Sequence, residues 1–407
     1  MITGDLVFDI LVRLPGKPLL RFRCVSKSWR RIIADPSFKA TYHSRLATKT
    51  NPEYLLQLRC QPPSMCSISR CNESFVEQEV LQIPVSSLNH PNMTITGSCN
   101  GLLCLAASDD TGRSFGDEIY LLNPAIRRLK LLPPSPVQPD RRWDLPPNSK
   151  WHPNPNHVGI GFNSLTADYK VVKIGNILTT SPEYRWFTGA QIYSLRSNSW
   201  KTVTYFNSGI DIWGSCSGPF LNGAFYWLAK KESGRHDMSN LSLWLSFGIH
   251  QWSWKDLFIL SFDFAGETFK EMRLPESLSD EGRNFLLTGS FCMGEFNGKL
   301  YLMLNKNVNF EIWLMMEESS WVKTFCEPSY GGTFLNTTPL GFGMNNEMIL
   351  LKPVRNWDNA PKNIVAYDPD TGTVVDHGTR EASKLFHYVP SLALLGEESL
   401  SFEEALA

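Results

Sequence analysis

The residues with the most reactive pattern are Gly214-Ser215-Cys216-Ser217-Gly218, which have the glycine spacing of a nucleophile elbow with cysteine in the reactive position. Such an elbow needs a strand before the nucleophile and a helix after it. The segment that follows, Pro219-Phe220-Leu221-Asn222-Gly223, has instead the pattern of a strand that enters a hairpin. We therefore expect Cys216 to be a small buried side chain, and we predict no catalytic residue.

The sequence also predicts no metal and no cofactor. Cys60, Cys66, Cys71 and His90 come nearest to a set of zinc ligands, but their spacing fits no common site. Gly159-Ile160-Gly161 lacks the third glycine and the following helix of a nucleotide-binding loop. We expect these glycines to serve strand packing.

The composition is that of a globular protein with more than one core. A chain of 407 residues, of which 42% are hydrophobic and 19% charged, predicts one large domain and one small domain. The nine cysteines are irregularly spaced, which is typical of reduced thiols in a cytosolic or nuclear protein. No apolar run reaches the ~18 residues of a membrane span. We expect a cytoplasmic or nuclear location and no membrane partner.

Charge is distributed unevenly along the chain. Residues 1–50 hold ten Lys and Arg against three Asp and Glu, although the net charge of the whole chain is −1. A basic terminal segment indicates either nucleic acid or an acidic protein surface as its partner. The basic side chains, among them Lys17, Arg23 and Arg30, are interleaved with apolar ones. We therefore favour an acidic protein and predict no nucleic acid.

The elements that organise this basic segment are three short helices within residues 5–38. Apolar residues at i, i+4 and i+8 line one face of the first helix, while Phe8 and Val12 point nearly the opposite way. Pro18 stands where the second helix would start, and Ser26 is placed to cap the third. A helix this short that is apolar on two sides needs a partner to cover one of them.

These residues resemble an F-box, the helical module by which substrate receptors of ubiquitin ligases dock on a Skp-type adaptor. The match includes Leu14-Pro15, the run LLRFRCVSKSWR (19–30) and Asp35-Pro36. One departure is Ile2-Thr3, which stands where the family usually has Leu-Pro, and the missing proline implies weaker docking. The resemblance implies adaptor contacts by Leu6, Ile10, Leu14, Pro15, Leu19, Leu20, Val25 and Trp29.

Beyond the helices the chain has the pattern of repeated β-hairpins. Asn-Gly between apolar runs indicates a tight hairpin, because both turn positions need positive φ. It occurs at Asn100-Gly101, Asn222-Gly223 and Asn297-Gly298, and Asn345-Asn346 is a degenerate fourth copy. Repeats of this kind predict propeller blades, which take roughly 40–50 residues each. The longer intervals leave room for insertions at about 138–157 and 231–256.

The strand region resembles the F-box-associated domain of plant F-box proteins of the S-locus F-box-like group. Its motifs include GSCNGLLCL (97–105), LLNPAIRRLKLLP (121–133) and FLNGAFYWLA (220–229). The predicted fold class is an α+β multidomain protein, with a small helical F-box followed by a mainly-β, irregular kelch-like β-propeller. The expected divisions are an F-box at 1–46, a linker and first strands at 47–96, a propeller-like substrate-binding domain at 97–395 and an acidic tail at 396–407.

Two segments outside the repeats carry expectations of their own. Tyr388-Val389-Pro390-Ser391-Leu392 has the pattern of a strand that closes the ring, and the tail from Glu397 is expected to be mobile. The insertion 231–256 carries four large aromatic residues among serines and few charges. They either anchor a partner or fold back on the neighbouring blade, and the sequence favours neither. These substrate-binding candidates are Trp244, Phe247, Trp252 and Trp254.

The resemblance implies a non-catalytic adaptor subunit of an SCF-type ubiquitin ligase. The F-box would hold a Skp-type adaptor and, through it, a cullin and a RING subunit. The propeller would hold a protein substrate for ubiquitination and proteasomal degradation, and tethering would raise the effective concentration to as much as roughly mM. Two alternatives stay open: a propeller module that binds glycans through its aromatic loops, and an F-box scaffold that works outside any ligase.

Overall fold

The computed structural model describes most of the chain, and the statements below concern that part. The residues it describes are 4–14, 16–35, 37–38, 41–42, 45, 53–58, 65–84, 92–108, 118–135, 150–179, 185–206, 210–212, 218–231, 257–279, 291–306, 309–326, 337–354, 361–379, 382–393, 395–396 and 399–401.

The N-terminal region forms the three predicted helices, with small shifts at their ends. They are α1 (Gly4–Leu11), α2 (Gly16–Phe22) and α3 (Lys27–Ala34). Ser26 caps α3, since its Oγ accepts a hydrogen bond from the Trp29 amide at 3.1 Å. Helix α2 begins at Gly16 and not at Pro18, because a proline in the first turn lacks only an amide that has no helical partner there.

The three helices share one small apolar core. The buried residues of this core are Leu11, Val12, Leu19, Ile33, Phe38, Tyr42 and Leu392. Phe8 packs edge-on against Phe38, and Phe22 packs edge-on against Trp29. One member, Leu392, comes from the other end of the chain, so the helical domain is not complete without the C-terminal segment.

The remaining strands form six antiparallel sheets arranged as a six-bladed propeller. Blade 1 contains β1 (Glu53–Leu58), β2 (Met65–Asn72), β3 (Glu77–Pro84) and β25 (Ala382–Tyr388). Blade 2 contains β4 (Asn92–Cys99), β5 (Leu102–Ser108), β6 (Ile119–Asn123), β7 (Arg128–Leu131) and β26 (Leu400–Ser401). Blade 3 contains β8 (Lys150–Asn163), β9 (Asp168–Thr179), β10 (Arg185–Ser194) and β11 (Ser199–Phe206).

Blades 4 to 6 complete the ring. Blade 4 contains β12 (Ile210–Ile212), β13 (Phe220–Leu221), β14 (Ala224–Lys231), β15 (Leu257–Asp263) and β16 (Thr268–Arg273). Blade 5 contains β17 (Phe291–Phe296), β18 (Lys299–Lys306), β19 (Asn309–Glu317) and β20 (Ser320–Cys326). Blade 6 contains β21 (Thr338–Phe342), β22 (Met348–Pro353), β23 (Lys362–Tyr367) and β24 (Val374–Thr379). A single helical turn, Glu276–Ser279, follows blade 4.

The predicted hairpin turns are confirmed. Asn100-Gly101, Asn222-Gly223 and Asn297-Gly298 each connect the two strands expected, and both residues of every pair have positive φ, for example 47° and 77° at the first pair. Asn346, in the degenerate copy, has φ 68°. The mainly-β propeller after a helical F-box is therefore confirmed. The predicted insertion at 138–157 is shorter than expected, because β8 begins at Lys150.

The ring is closed by strands from opposite ends of the chain. Strand β25 pairs antiparallel with β1, with Glu53 opposite Tyr388 and Leu55 opposite Phe386. The closing strand is thus Ala382–Tyr388, one strand length before the segment Tyr388–Leu392 that the sequence favoured. The correction has a physical cause, because Leu392 is taken up by the helical core.

Six apolar clusters hold the ring together, one between each pair of adjacent blades. The cluster between blades 3 and 4 is rich in aromatic rings, among them Phe225, Trp227 and Phe264. Glycines of β8 make room for these rings: a Cβ at Gly159 would lie 2.7 Å from Trp227, and one at Gly161 would overlap Phe264. The expectation that Gly159-Ile160-Gly161 serves strand packing is confirmed.

The two faces of the ring differ in the length of their connections. Because strands alternate in direction, turns between first and second strands and between third and fourth strands lie together on one face, here called the turn face. Its connections are short, such as 100–101, 222–223, 297–298 and 318–319. The other connections join strand ends at the opposite face, here called the loop face. They include the longest in the chain, 132–149, 232–256, 274–290 and 327–337.

The C-terminal residues 389–401, here called the strap, tie the helices to the turn face. The Asn123 side chain donates hydrogen bonds to the Ser391 and Ala393 carbonyls, at 3.1 and 2.9 Å. Leu392 enters the helical core, and helix α2 contacts the 3₁₀ turn Pro124–Ile126 of blade 2. Beyond them, Leu400–Ser401 add a strand to the edge of β7, although this segment was expected to be mobile.

Candidate interaction surfaces

Helix α1 presents apolar side chains on two sides, as its spacing predicts. Leu11 and Val12 are buried in the helical core, with 0% and 7% of their surface exposed. Leu6 and Ile10 point away from it and remain 50% and 49% exposed, and Val25, between α2 and α3, is 62% exposed. Large apolar side chains left this open on a small domain mark a surface that another protein covers.

The other predicted adaptor contacts lie in different environments. Leu14 and Trp29 are half-buried and pack against the helical core, while Leu19 lies wholly inside it. Leu20 belongs to α2, but its side chain is outside the described residues, as is all of Pro15. The contacts predicted from the family pattern therefore divide into surface residues and residues that shape the domain.

The substrate-binding candidates cannot be located in the structure. Trp244, Phe247, Trp252 and Trp254 all lie outside the described residues. The strands on either side of them are described, however: β14 ends at Lys231 and β15 begins at Leu257, and these two ends lie at the loop face. The segment that carries the four aromatic residues therefore leaves and re-enters the ring on the side away from the F-box.

A cavity of about 380 Å³ lies among the inner strands of the ring. Its lining comes mainly from the inner strands of blades 1, 2, 4, 5 and 6, and its polar groups include Lys384 and His387 of β25 and Tyr301 of β18. Lys384 Nζ donates to the Ile95 carbonyl at 2.7 Å, and His387 Nε2 lies 2.8 Å from the Phe342 carbonyl oxygen. These polar groups are already used to join adjacent blades, so the cavity gives no clear ligand chemistry.

A second polar cavity, of about 290 Å³, lies between blades 3 and 4. Lys170 and Lys201 project into it, and Glu267 pairs with both at 2.6 and 2.5 Å. This one carboxylate compensates part of the charge of the two lysines from within the protein. We interpret this cluster as an electrostatic connection between two blades.

The residues with reactive potential are placed as structural groups. Cys99 and Cys104 are buried in blade 2, and burial raises the pKa of the Cys104 thiol to about 12, so that it stays protonated. Cys216 lies outside the described residues, as do Cys60 and His90. In the described part of the chain, no three His, Cys, Asp or Glu residues converge as metal ligands. None of the helices described there is long and apolar enough to cross a bilayer.

Comparison with known families accounts for both parts of the chain. Residues 4–41 match the F-box domain, and residues 60–395 match the F-box associated beta propeller domain. This chain belongs to the F-box proteins with an F-box-associated β-propeller. Its relatives include the F-box protein CPR1 of Arabidopsis thaliana, which is 26% identical over 379 residues, covering 86% of this chain and 79% of the relative. An F-box/kelch-repeat protein of the same plant is 27% identical over 337 residues, covering 80% and 79%.

The strap is the feature of this F-box protein that sequence reasoning missed. Leu392 and Leu395 are 5% and 1% exposed, and they serve two different cores, the helical domain and the interface of blades 2 and 3. A signal was present, since apolar residues recur after Pro390 in a segment that was assigned to a closing strand and a tail. The sequence pattern did not indicate which core each leucine packs into.

Proposed function

We propose that this F-box protein is the substrate-recognition subunit of an SCF-type ubiquitin ligase, which contains a Skp-type adaptor, a cullin and a RING subunit. The observation that carries the proposal is the exposure of Leu6 and Ile10 on a helix whose other side is buried. Exposed apolar side chains that cluster on one side of a helix are typical of a surface that binds another protein. Membership of the F-box family supports a Skp-type adaptor as that partner.

The difference between the two faces of the propeller supports adaptor binding on one side and substrate binding on the other. An adaptor bound to the F-box occupies space beside the turn face and leaves the loop face free. Connecting segments, more often than scaffold strands, carry specificity, and the longest ones join strand ends at the loop face. We therefore assign the protein substrate to the loop face, with Trp244, Phe247, Trp252 and Trp254 as its first candidate contacts.

The proposed role is non-catalytic. Ubiquitin transfer would be carried out by the conjugating enzyme that the RING subunit recruits, and this chain would contribute proximity and orientation. The strap supports such a role, because it fixes the F-box to blade 2 through Leu392 and the Asn123 hydrogen bonds. We expect the protein to act in the cytosol or the nucleus.

The adaptor surface is tested by the double variant Leu6→Ser/Ile10→Ser in the full chain. The exposed half of each side chain is on the order of 80 Å², and its burial contributes about 2 kcal/mol. Losing both contacts should weaken binding to a purified Skp-type adaptor at least about hundredfold by calorimetry. Because both residues are exposed, circular dichroism should not change.

A matched control is available on the propeller. Val322 and Val354 are 50% and 51% exposed, so Val322→Ser/Val354→Ser removes comparable apolar surface from blades 5 and 6, away from blade 2, and Val354 follows the loop-face end of β22. This control should bind the adaptor like the parent protein. If the Leu6 and Ile10 variant also binds normally, α1 is not the docking surface and the ligase proposal loses its main support.

The substrate side is tested in cells. Trp252→Ala/Trp254→Ala should preserve adaptor binding and lengthen the lifetime of proteins that proximity labelling finds near this receptor when the proteasome is inhibited. A large fall in melting temperature would instead assign these tryptophans to the fold. Recovery of the adaptor without cullin in affinity purification would favour the scaffold alternative.

A further inference from the structure

The F-box carries a basic surface that the apolar docking contacts do not explain. From Gly16 to Ala34 the sequence has six Lys and Arg and no Asp or Glu. Arg21, Lys27, Arg30 and Arg31 are exposed, and Arg23 is half-buried. Within the described residues, none of these five forms an ion pair.

Cations that meet between blades of the propeller, unlike the five described for the F-box, form ion pairs. Lys170 and Lys201 share Glu267, and Arg70 and Arg127 share Glu79. Each of these pairs of cations thus has a carboxylate partner within the propeller. The absence of a described carboxylate beside the F-box cations indicates that their counter-charge comes from another molecule.

Arg23 and Arg30 are two cations of this surface whose charges act on each other. Burial, and then the charge of Arg30, lower the pKa of Arg23. A guanidinium nevertheless stays charged at physiological pH, so the repulsion between the two groups cannot be relieved by loss of a proton. An anionic partner relieves it, and a carboxylate is well suited because it accepts two parallel hydrogen bonds from one guanidinium.

The neighbouring side chains favour a protein over a nucleic acid as that partner. Val25 lies between Arg23 and Lys27 in sequence and is 62% exposed, so apolar and cationic groups share one surface. Interfaces between proteins combine an apolar centre with a charged rim in this way, whereas interfaces with nucleic acids are more polar. Trp29, a possible stacking platform for a base, is half-buried and packs edge-on against Phe22 at 5.3 Å.

We propose that Arg23 and Arg30, on the α2–α3 surface that also exposes Val25, bind an acidic segment of the Skp-type adaptor. The inference rests on the proposed function and adds to it the chemistry of the partner surface: carboxylates opposite the α2–α3 junction, beside an apolar contact for Val25. Such rim charges act mainly on the rate of association and on partner choice.

The first test uses the unmodified full chain and a purified adaptor. Association rates are measured by stopped-flow fluorescence between 0.05 and 0.5 M NaCl, over which the screening length falls from about 14 Å to about 4 Å. We expect the association rate to fall at least about tenfold across this range, while the dissociation rate changes little. A rate that is independent of salt would overturn the proposal, even if the adaptor binds tightly.

The second test reverses the charges. Arg23→Glu/Arg30→Glu should slow association at least about tenfold at 0.05 M NaCl and remove most of the salt dependence. Arg23→Lys/Arg30→Lys keeps the charge and should retain most of the rate, which separates electrostatics from folding. The control Arg196→Glu/Arg273→Glu reverses two exposed charges on the propeller and should have no effect.

The third test is rescue in trans. Exchanging acidic residues of the adaptor for lysine, one cluster at a time, should yield one variant that binds the reversed receptor better than the parent does. If reversal has less than a twofold effect, or if no cluster rescues it, the inference fails while the ligase proposal stands. If the parent chain does not bind the adaptor at any salt concentration, the ligase proposal itself fails. Tighter binding of a duplex DNA or RNA than of the adaptor at 0.15 M NaCl would overturn the choice of a protein partner.

Discussion

A buried leucine near the end of the chain should control the stability of helices at its beginning. Leu392 is 5% exposed and packs with Leu11, Leu19, Ile33 and Phe38 in the helical core. The variant Leu392→Ala removes its side chain without touching any residue of the F-box itself. Its effect measures how far the helical domain depends on the strap.

The expected magnitude follows from the burial. Replacing a buried leucine by alanine costs about 2–5 kcal/mol, and the lower half of that range applies where the surroundings can relax. A loss of about 2–3 kcal/mol would raise the equilibrium constant for local opening of α1–α3 about 30- to 150-fold. Three short helices have little stability to spare, so the change should be evident under native conditions.

Native-state hydrogen exchange with mass spectrometry measures this opening directly. Peptides from α1 and α3 should exchange faster in Leu392→Ala, while peptides from β18 and β19 keep their protection. Leu395→Ala is the matched control: it is 1% exposed in the same segment but packs between blades 2 and 3. It should accelerate exchange in those blades and spare α1 and α3. Unchanged exchange in α1–α3 of Leu392→Ala, or the same pattern in both variants, would refute the reasoning.

Three further perturbations test the packing, the titration and the docking. Gly161→Ala should lower the free energy of unfolding by about 1–3 kcal/mol, because the added methyl group would overlap the Phe264 ring; an unchanged urea midpoint would contradict this contact. Burial lowers the pKa of His157 to about 3, so the unfolded chain alone takes up this proton as the pH falls below about 6.5, and stability at pH 5 should be about 2 kcal/mol lower than at pH 7 from this group. His157→Asn should flatten that part of the pH profile, and an equal slope in both proteins would disprove the assignment. Thr3→Pro should tighten adaptor binding measured by calorimetry, since it restores a fixed φ and ring surface; weaker or equal affinity would show that the departure is irrelevant.

Local signals predicted the parts of the fold that short-range sterics determine. Asn100-Gly101 and its copies specify their hairpins because both residues must adopt positive φ. Ser26 specified the start of α3 through one hydrogen bond within a single turn. The two-sided pattern of α1 predicted the exposure of Leu6 and Ile10, because one small core cannot cover both sides of a helix.

Features that depend on partners far away in the sequence could not be predicted from local patterns. Blade 1 shows no Asn-Gly signal because its inner strand, Ala382–Tyr388, comes from the other end of the chain. Blade 3 uses the four-residue turn 164–167, so its first hairpin lacks the repeated motif as well. For these two reasons the number of blades could not be counted from the Asn-Gly repeats in the sequence. The burial of Leu392 depends on a core assembled from residues 11–42, which no pattern near residue 392 indicates.

The closure of blade 1 has a consequence for the order of events on the ribosome. The edge of β1 is made roughly 320 residues before its partner β25, which at 5–20 residues per second is a wait of roughly 15–65 s. During that time the nascent chain has an unpaired strand edge, and its first helices lack the leucine that completes their core. Both defects end together once residues 382–392 have been made. A chain interrupted before residue 382 would therefore expose both an unpaired strand edge and an incomplete helical core to chaperones and proteases. Stable binding of the adaptor by the F-box would then require that the ring has already closed.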